Sequence, residues 1–589
     1  MQHKKLNEPT AKQSQMIQDA VALHQSGQLD AAEIQYKKLL KLLPSNTGLL
    51  SNLGIMALQK GLFEDAVRIL GRSLQIHPKQ PSALNNYGIA LQDLKRWDEA
   101  LVSYDSAIAL KPDFSDAYYN RGLILQELNR LDEALANYDK AIILKPNYVV
   151  AYYNRGNVLK DLNRLDEALG SYESAIAFKL DHANAYSNRG NVLKDLNRLD
   201  EALLSYKRAM VINPDIDYIL GFTLYTKMQL CIWDERPKHL NNLIYKINND
   251  EKVEEPFPML AFIDDPELHR KTAKIFANKK YHVSHLLPKI QRYPQHEKIR
   301  VGYFSADFRN HPVAMLTAEL YETHDRNHFE IYAFSLGPDT QDDMNLRIKA
   351  GVDHFYDVRT LLDKDITMLA RNVEIDIAVD LGGYTTGARP GIFAMQVAPI
   401  QVSYLGYPST MAVVYIDYLI ADRTLIPDHQ QQHYSEKIVY LPNSYMVNDT
   451  KNKRSTRVFT RAEAGLPNNG FVFCCFNNHF KITPTVFMSW MRILLQVEGS
   501  VLWLPEGNHM AVANLKKEAV KMGVNEHRLV FAPRLASMDD HFKRIQLADL
   551  FIDTLPYNAH TTASDALRMG LPVLTCIGQS FASRVAASL

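Results

Sequence analysis

The chain has 589 residues, too many for one hydrophobic core, so several domains are expected. It is 46% hydrophobic and 22% charged, with Lys plus Arg and Asp plus Glu balanced at 66 each, which disfavours a general nucleic-acid or anionic-membrane binder. Four cysteines without CxxC or His/Cys metal spacing exclude a disulfide framework and a zinc ribbon and fit a reducing compartment.

The N-terminus, MQHKKLNEPTAKQSQ, is polar and lacks the apolar core of a signal peptide, and no run of about 18 apolar residues occurs further along. A cytoplasmic protein is therefore expected. Gly54, Gly88, Gly122, Gly156 and Gly190 then recur every 34 residues. Pro44, Pro78, Pro112 and Pro146 keep the same period, Pro214 rejoins it, and Leu180 is the departure. Trp97-Asp98-Glu99-Ala100 and three Leu-Asp-Glu-Ala turns repeat in phase. A 34-residue unit of this design resembles the tetratricopeptide repeat, in which stacked helix pairs form a superhelix with a concave groove. About six units are expected in an array over residues 11–220. Asn52, Asn86, Asn120, Asn154 and Asn188 each stand two residues before a glycine. They read either as exposed positions that tolerate Asn or as a ladder of amides able to pair with the backbone of an extended peptide; five in phase favour the ladder.

The period is lost after about 215, and residues 221–297 read as a helical adaptor in which 251–281 forms a turn and one helix. From 299, short apolar runs alternate with helical stretches: 299–305, 329–336, 375–383, 401–407 and 416–423, then 471–476, 501–506, 529–533, 550–554 and 572–576. This is the pattern of two successive parallel α/β sheets, so lobes over 298–450 and 451–589 with a cleft between them are expected. Ligands in such sheets sit at the carboxyl ends of strands. No GxGxxG or GxxxxGK[ST] comes after the first strand, and the DxD-type pairs Asp215/Asp217 and Asp363/Asp365 are poorly placed for a metal, so no metal or other cofactor is expected.

Strand ends carry the polar residues. SADFRNHP brings Asp307, Asn310 and His311 to the cleft after the first strand. His560, Thr561 and Thr562 open a helix whose hydroxyls and free N–H groups suit a diphosphate. Asp565 either accepts from a ribose or favours the helix start. Lys481, just beyond a strand in CFNNHFKIT, is placed to neutralise a leaving phosphate.

RVGYFSADFRNHP, GYTTGARPGIFAMQVAPIQVSYLGYPST, YSEK, NNHFKI, SVLWL, QLADLFIDT, HTTASDALRMGLPV and ASRVAAS resemble the catalytic domain of the O-linked N-acetylglucosamine transferase and SPINDLY family, glycosyltransferase family 41. The resemblance implies an α-solenoid followed by a two-lobed α/β GT-B domain. It also implies metal-independent inverting transfer, UDP-N-acetylglucosamine as the usual donor and protein Ser/Thr as acceptor. Carried over by motif, it makes His311 the active-site histidine, to orient the acceptor or relay its proton, with Asp307 as base or loop anchor and Asn310 as a peptide contact. Lys481 falls on the diphosphate lysine. His541, Arg544, His560, Thr561, Thr562 and Asp565 fall on nucleotide positions, Gly406 and Pro408 on a loop near the sugar, and Asn478 where animal members have glutamine. Three positions depart from animal members: Met538 and Thr386 replace lysines and Met315 replaces a second histidine. The family continues beyond ASRVAASL, so the resemblance also implies a chain truncated at its C-terminus, with apolar surface exposed and the cleft loosened. Alternatives kept open are another donor (GDP-fucose or UDP-glucose, the latter for Asn glucosylation) and a repeat scaffold without turnover.

Overall fold

The computed structural model describes residues 9–284, 286–290, 293–451 and 455–589; part of the polar N-terminus (1–8) and of the turn-rich stretch 443–456 lie outside them. The chain divides into two compact units, Met1–Arg198 and Leu199–Leu589.

The first unit is built from antiparallel helix pairs: Ala11–Gln25 with Leu29–Leu42, Thr47–Gln59 with Phe63–Ile76, Pro81–Asp93 with Trp97–Leu110, Ser115–Glu127 with Leu131–Leu144, and Val149–Asp161 with Leu165–Phe178, then Ala183–Asp195. The periodic glycines mark where the two helices of a pair touch. A Cβ on Gly122 would lie 2.8 Å from the Tyr138 ring, and one on Gly156 2.7 Å from Tyr172. Tyr36, Tyr104, Tyr138 and Tyr172 are fully buried here, so each small residue is matched to a large one on the partner helix. The turns share a second period: Gly27, Gly61, Lys95, Asn129, Asn163 and Asn197 all adopt positive φ, which ends the first helix of each pair and starts the reversal.

The second unit begins with the helix Leu199–Ile212. Leu199 and Leu203 pack on Leu230, which ties this helix to the chain just beyond it. Residues 221–297 are helical as expected, but 251–281 holds two helices where a turn and one helix were expected. Ile219–Gln229 and Arg236–Asn248 are succeeded by two helices, Pro256–Phe262 and Pro266–Lys280. Asp265 caps the latter by accepting from the N–H groups of Glu267 and Leu268, and Pro266 fixes its first turn. These helices belong to the core of the second unit: Leu224, Leu260 and Phe276 share a cluster with Phe304, Tyr384 and Tyr407.

Two all-parallel sheets come next. The first has β1 (Ile299–Ser305), β2 (Phe329–Ser335), β3 (His354–Asp357), β4 (Ile377–Asp380), β5 (Ile400–Ser403), β6 (Tyr418–Ala421) and β7 (Lys437–Tyr440), in the order β3-β2-β1-β4-β5-β6-β7. The second has β8 (Val472–Cys474), β9 (Val501–Pro505), β10 (Leu529–Ala532), β11 (Leu550–Ile552) and β12 (Val573–Leu574), in the order β10-β9-β8-β11-β12. The ten apolar runs of the sequence all form strands; β3 and β7, both edge strands, come in addition to them. After β12 the chain returns to the first sheet. Phe581 and Val585 enter its core, Arg584 Nε donates to Thr424 O (2.7 Å), and Ser588 Oγ donates to Asp422 Oδ2 (2.5 Å). Among the described residues no helix is long and apolar enough to cross a membrane.

Candidate active site at two strand-order reversals

Both sheets reverse strand order at one place, between β1 and β4 and between β8 and β11. Loops leaving adjacent strands diverge there and open a crevice at their carboxyl ends.

In the first sheet, the chain folds back after β1 as the Asp307 N–H donates to Ser305 Oγ (3.0 Å). Asp307 is buried, and its Oδ2 lies 3.5 Å from His311 Nδ1 while Oδ1 lies 3.5 Å from Arg309 Nη2. His311 precedes the helix Pro312–Thr323, and its Nδ1 accepts from the Val313 N–H (3.3 Å). Burial holds the imidazole below its usual pKa, with Asp307 opposing and Arg309 assisting. Nδ1 therefore has two settings. It accepts from Val313 with the ring proton on Nε2, or it turns an N–H toward Asp307 and leaves the Nε2 lone pair free to take a proton. Asn310 is exposed, and its backbone N–H donates to Asp342 Oδ2 (2.8 Å).

Beside this loop, Asp380 at the end of β4 accepts from the N–H groups of Gly382 (2.8 Å) and Gly383 (3.0 Å), and burial raises its pKa. A Cβ on Gly406 would stand 1.9 Å from Leu381 O, so only glycine lets the 405–408 loop pass; Pro408 in that loop is buried. A Cβ on Gly387 would lie 2.9 Å from the Ala306 Cβ, so Thr386 and its loop lie against the one carrying Asp307.

The second sheet assembles a cationic pocket. Lys481 is buried in the turn His479–Lys481, where its Nζ donates to Asn558 O (2.9 Å) and lies 3.7 Å from the centre of the Tyr557 ring. Burial pushes its pKa down to about 8 against the pull of Asp553. His560 immediately precedes the helix Thr561–Arg568, with Nε2 3.3 Å from Ala582 O; burial and Lys481 drive its pKa well below the usual value, so it is neutral. Thr561 and Thr562 form the first turn. Burial raises Asp565, one turn in, to about 7 against Arg568. Asn478 is exposed at the start of the Lys481 turn. His541 lies further along, edge-on to Phe476 at 5.2 Å, with Nδ1 accepting from Arg544 Nε (3.1 Å), and burial pushes it down to about 4. Arg544 also donates to Pro533 O (2.6 Å).

The two sheets meet around these residues. Tyr557 packs in one aromatic cluster with Tyr384 and Tyr407 of the first sheet. A cleft of about 1110 Å³ separates Asn310, Pro312 and Met315 on one side from Ser537, Met538 and Phe542 on the other. Met315 and Met538, two of the departures noted in the sequence, thus line a common space.

Sequence reasoning passed over Asn477, Asp553 and Asn558. Asn477 donates to Thr554 Oγ1 (2.7 Å) and Asp553 Oδ1 (3.2 Å) and accepts from Thr562 Oγ1 (2.5 Å), so one buried amide joins the ends of β8 and β11 to the helix start. The Asn-Asn doublet and the Asp-Thr ending of LFIDT were the available signals.

In the repeats, the ladder asparagines are half-buried, and three spend an amide N–H within the array. Asn120 donates to Asn85 (3.0 Å), Asn154 to Tyr119 (3.0 Å), and Asn188 to Tyr153 (3.1 Å) and Asn157 (2.9 Å). These bonds reach back 31 to 35 residues, so the ladder also links successive repeats.

The model of glycosyl transferase family 41 matches residues 271–457 and 451–589. The chain belongs to this family. Tetratricopeptide models match within the first unit and into the next helix, including 20–83, 88–129, 137–170 and 183–216. Among curated relatives, the probable UDP-N-acetylglucosamine–peptide N-acetylglucosaminyltransferase SEC of Arabidopsis thaliana is 34% identical over 387 residues, 62% of this chain and 39% of that protein. The Caenorhabditis elegans UDP-N-acetylglucosamine–peptide N-acetylglucosaminyltransferase is 26% identical over 405 residues, 50% and 35% respectively. A rice protein, the probable transferase SPINDLY, is 30% identical over 298 residues, 49% and 32%. The chain thus spans between 32 and 39% of these relatives' lengths. A solved mutant of the Thermobaculum terrenum O-GlcNAc transferase superposes with a TM-score of 0.50 at 24% identity over 86% of this chain and 84% of that one, a likeness of fold.

Proposed function

We propose that this family 41 member transfers N-acetylglucosamine from UDP-N-acetylglucosamine to Ser or Thr hydroxyls of proteins held by its repeats, by a metal-independent inverting displacement. The observation that carries this reading is the buried Lys481 ammonium beside the start of the helix Thr561–Arg568 at the strand-order reversal of the second sheet, with the His311–Asp307 pair at the reversal of the first. Lys481 and the N–H groups of the Thr561–Thr562 turn receive the diphosphate and stabilise the charge that grows on it as the glycosidic bond breaks. His541 and Arg544 flank the base, Asp565 meets the ribose, and Gly406, Pro408 and Asn478 border the sugar. His311 orients the acceptor hydroxyl and, in the tautomer with Nδ1–H toward Asp307, takes its proton at Nε2. Asn310 and the carboxamides of Asn52, Asn86, Asn120, Asn154 and Asn188 contact the acceptor chain. The names of the curated relatives support the donor and acceptor, and the pocket chemistry supports a nucleoside diphosphate whose charge Lys481 meets.

Calorimetry with UDP on the full chain and on Lys481→Ala tests the reading. UDP binding that weakens at least tenfold in the variant, about 1.4 kcal/mol or more, is expected. Absence of binding by the unmutated chain would move a non-enzymatic repeat scaffold ahead.

A further inference from the structure

The pocket around Lys481 is held from outside the two sheets, by one carboxylate. Asp264 sits in the short link between the helices Pro256–Phe262 and Pro266–Lys280. Its Oδ2 accepts from the Gln579 N–H (2.7 Å), and its Oδ1 accepts from the Ser580 N–H (2.8 Å) and from Ser583 Oγ (2.6 Å). Three donors from one turn converge on one carboxylate, and Ser580 and Ser583 are fully buried. A Cβ on Gly578 would stand 2.3 Å from both Asp264 Oδ2 and Ser583 Oγ, so the turn closes around the carboxylate only with glycine there. The same turn presents Ala582 O, which accepts from the Asn558 N–H (3.0 Å) and faces His560 Nε2. Asn558 O in turn is the acceptor for Lys481 Nζ.

We infer that Asp264 is a positioning residue for the diphosphate pocket, acting through the 578–583 turn and Ala582 O on His560, Asn558 and Lys481. The inference rests on the reading that this pocket receives the donor diphosphate. Physically, the carboxylate gathers two backbone N–H groups and a buried hydroxyl; without it the Gln579 N–H loses its acceptor, Ser580 N–H and Ser583 Oγ keep only their bonds within the turn, and the turn is no longer tied to the helices before β1. The carbonyl at the tip of the turn fixes which His560 nitrogen carries the proton and where the Asn558 carbonyl points. Movement there is felt at the ammonium two hydrogen bonds away. Neither Asp264 nor the turn needs to touch the nucleotide.

The test compares the full chain with Asp264→Asn, which keeps the shape but exchanges one acceptor oxygen for a donor facing an N–H, and with Ser583→Ala, which removes a single bond. Affinities for UDP and for uridine are measured by calorimetry, and hydrogen exchange of peptides spanning 556–562 is followed without ligand. UDP affinity is expected to fall about tenfold in Asp264→Asn, the scale on which outer partners of buried charged sites act. Ser583→Ala should do the same more weakly, uridine affinity should stay unchanged, and exchange over 556–562 should quicken in both. In Lys481→Ala, adding Asp264→Asn should cost little further. Equal losses for UDP and uridine, or unchanged exchange over 556–562, would overturn the inference and leave Asp264 a general stabiliser. If the unmutated chain binds no UDP, the donor reading falls, and the exchange data alone decide whether Asp264 holds this segment.

Discussion

Lys481 shows how burial sets the working range of a single group. Its ammonium has one carbonyl and one aromatic face for company, and desolvation brings its pKa to about 8. A diphosphate favours the charged form, so a proton is taken up on binding wherever the free amine is present. UDP affinity is therefore expected to be flat below about pH 8 and to fall about tenfold per unit above it, with Lys481→Arg removing the fall. Calorimetry between about pH 6.5 and 9.5, a window spanning the shifted lysine, in buffers of different ionisation enthalpy reads both the slope and the proton. Lys481, His560 and Thr562 were legible because they sit at strand ends in long motifs. Asn477 and Asp264 were not. Asn477 is one of two adjacent asparagines, and only the fold shows that it is the buried one. Asp264 lies 315 residues from the Gln579 N–H it holds, in a segment whose composition reads as a connector.

Single elements obey rules the sequence carried almost in full, because the repeat period fixes both the small residue and the large one that meets it. Two glycines separate the effects involved. Gly122 lies where a methyl would strike the Tyr138 ring, whereas Gly170, also within a helix, has nothing within 4 Å of its added Cβ. Gly122→Ala gains helix propensity but must displace a buried ring, and a net loss of about 1–3 kcal/mol is expected. Gly170→Ala meets no obstacle and should gain up to about 1 kcal/mol. Chemical unfolding of the full chain, followed by circular dichroism in the helical band, checks both signs. The elements that escaped were β3 and β7. Each is four residues long at a sheet edge, with the half-exposed sequences HFYD and KIVY, so neither offers the continuous apolar run that betrays a strand buried on both faces. The split of 251–281 into two helices escaped because its prolines suggest a single turn.

At the scale of the whole second unit, the connection between the sheets is pinned at its first end. Arg347 donates from Nη1 to Asp449 Oδ2 (2.5 Å) and from Nε to Glu322 (2.7 Å), while Lys451 Nζ donates to Glu322 (2.6 Å) and Thr450 N–H to Glu319 (2.6 Å). Asp449 is fully buried, so removing the guanidinium leaves a carboxylate short of its main counter-charge. Arg347→Ala is expected to cost about 3–5 kcal/mol, and Arg347→Lys to recover only part of it, because a point charge does not replace a fork. Thermal unfolding of the full chain reads the loss, with the repeat helices as an internal reference.

The return of residues 578–589 to the first sheet adds a second crossing. The chain passes between the sheets once near Asn448, where Ser564 Oγ donates to Asn448 Oδ1, and again after β12. The helices before β1 join both sheets as well, with Leu224 and Phe276 in the core of the first and Cys231 and Trp233 in that of the second. Asp264, in the link between two of those helices, grips the start of the returning segment at Gln579 and Ser580, so the wall of the diphosphate pocket is clasped by chain from before the first sheet and from after the last strand at once.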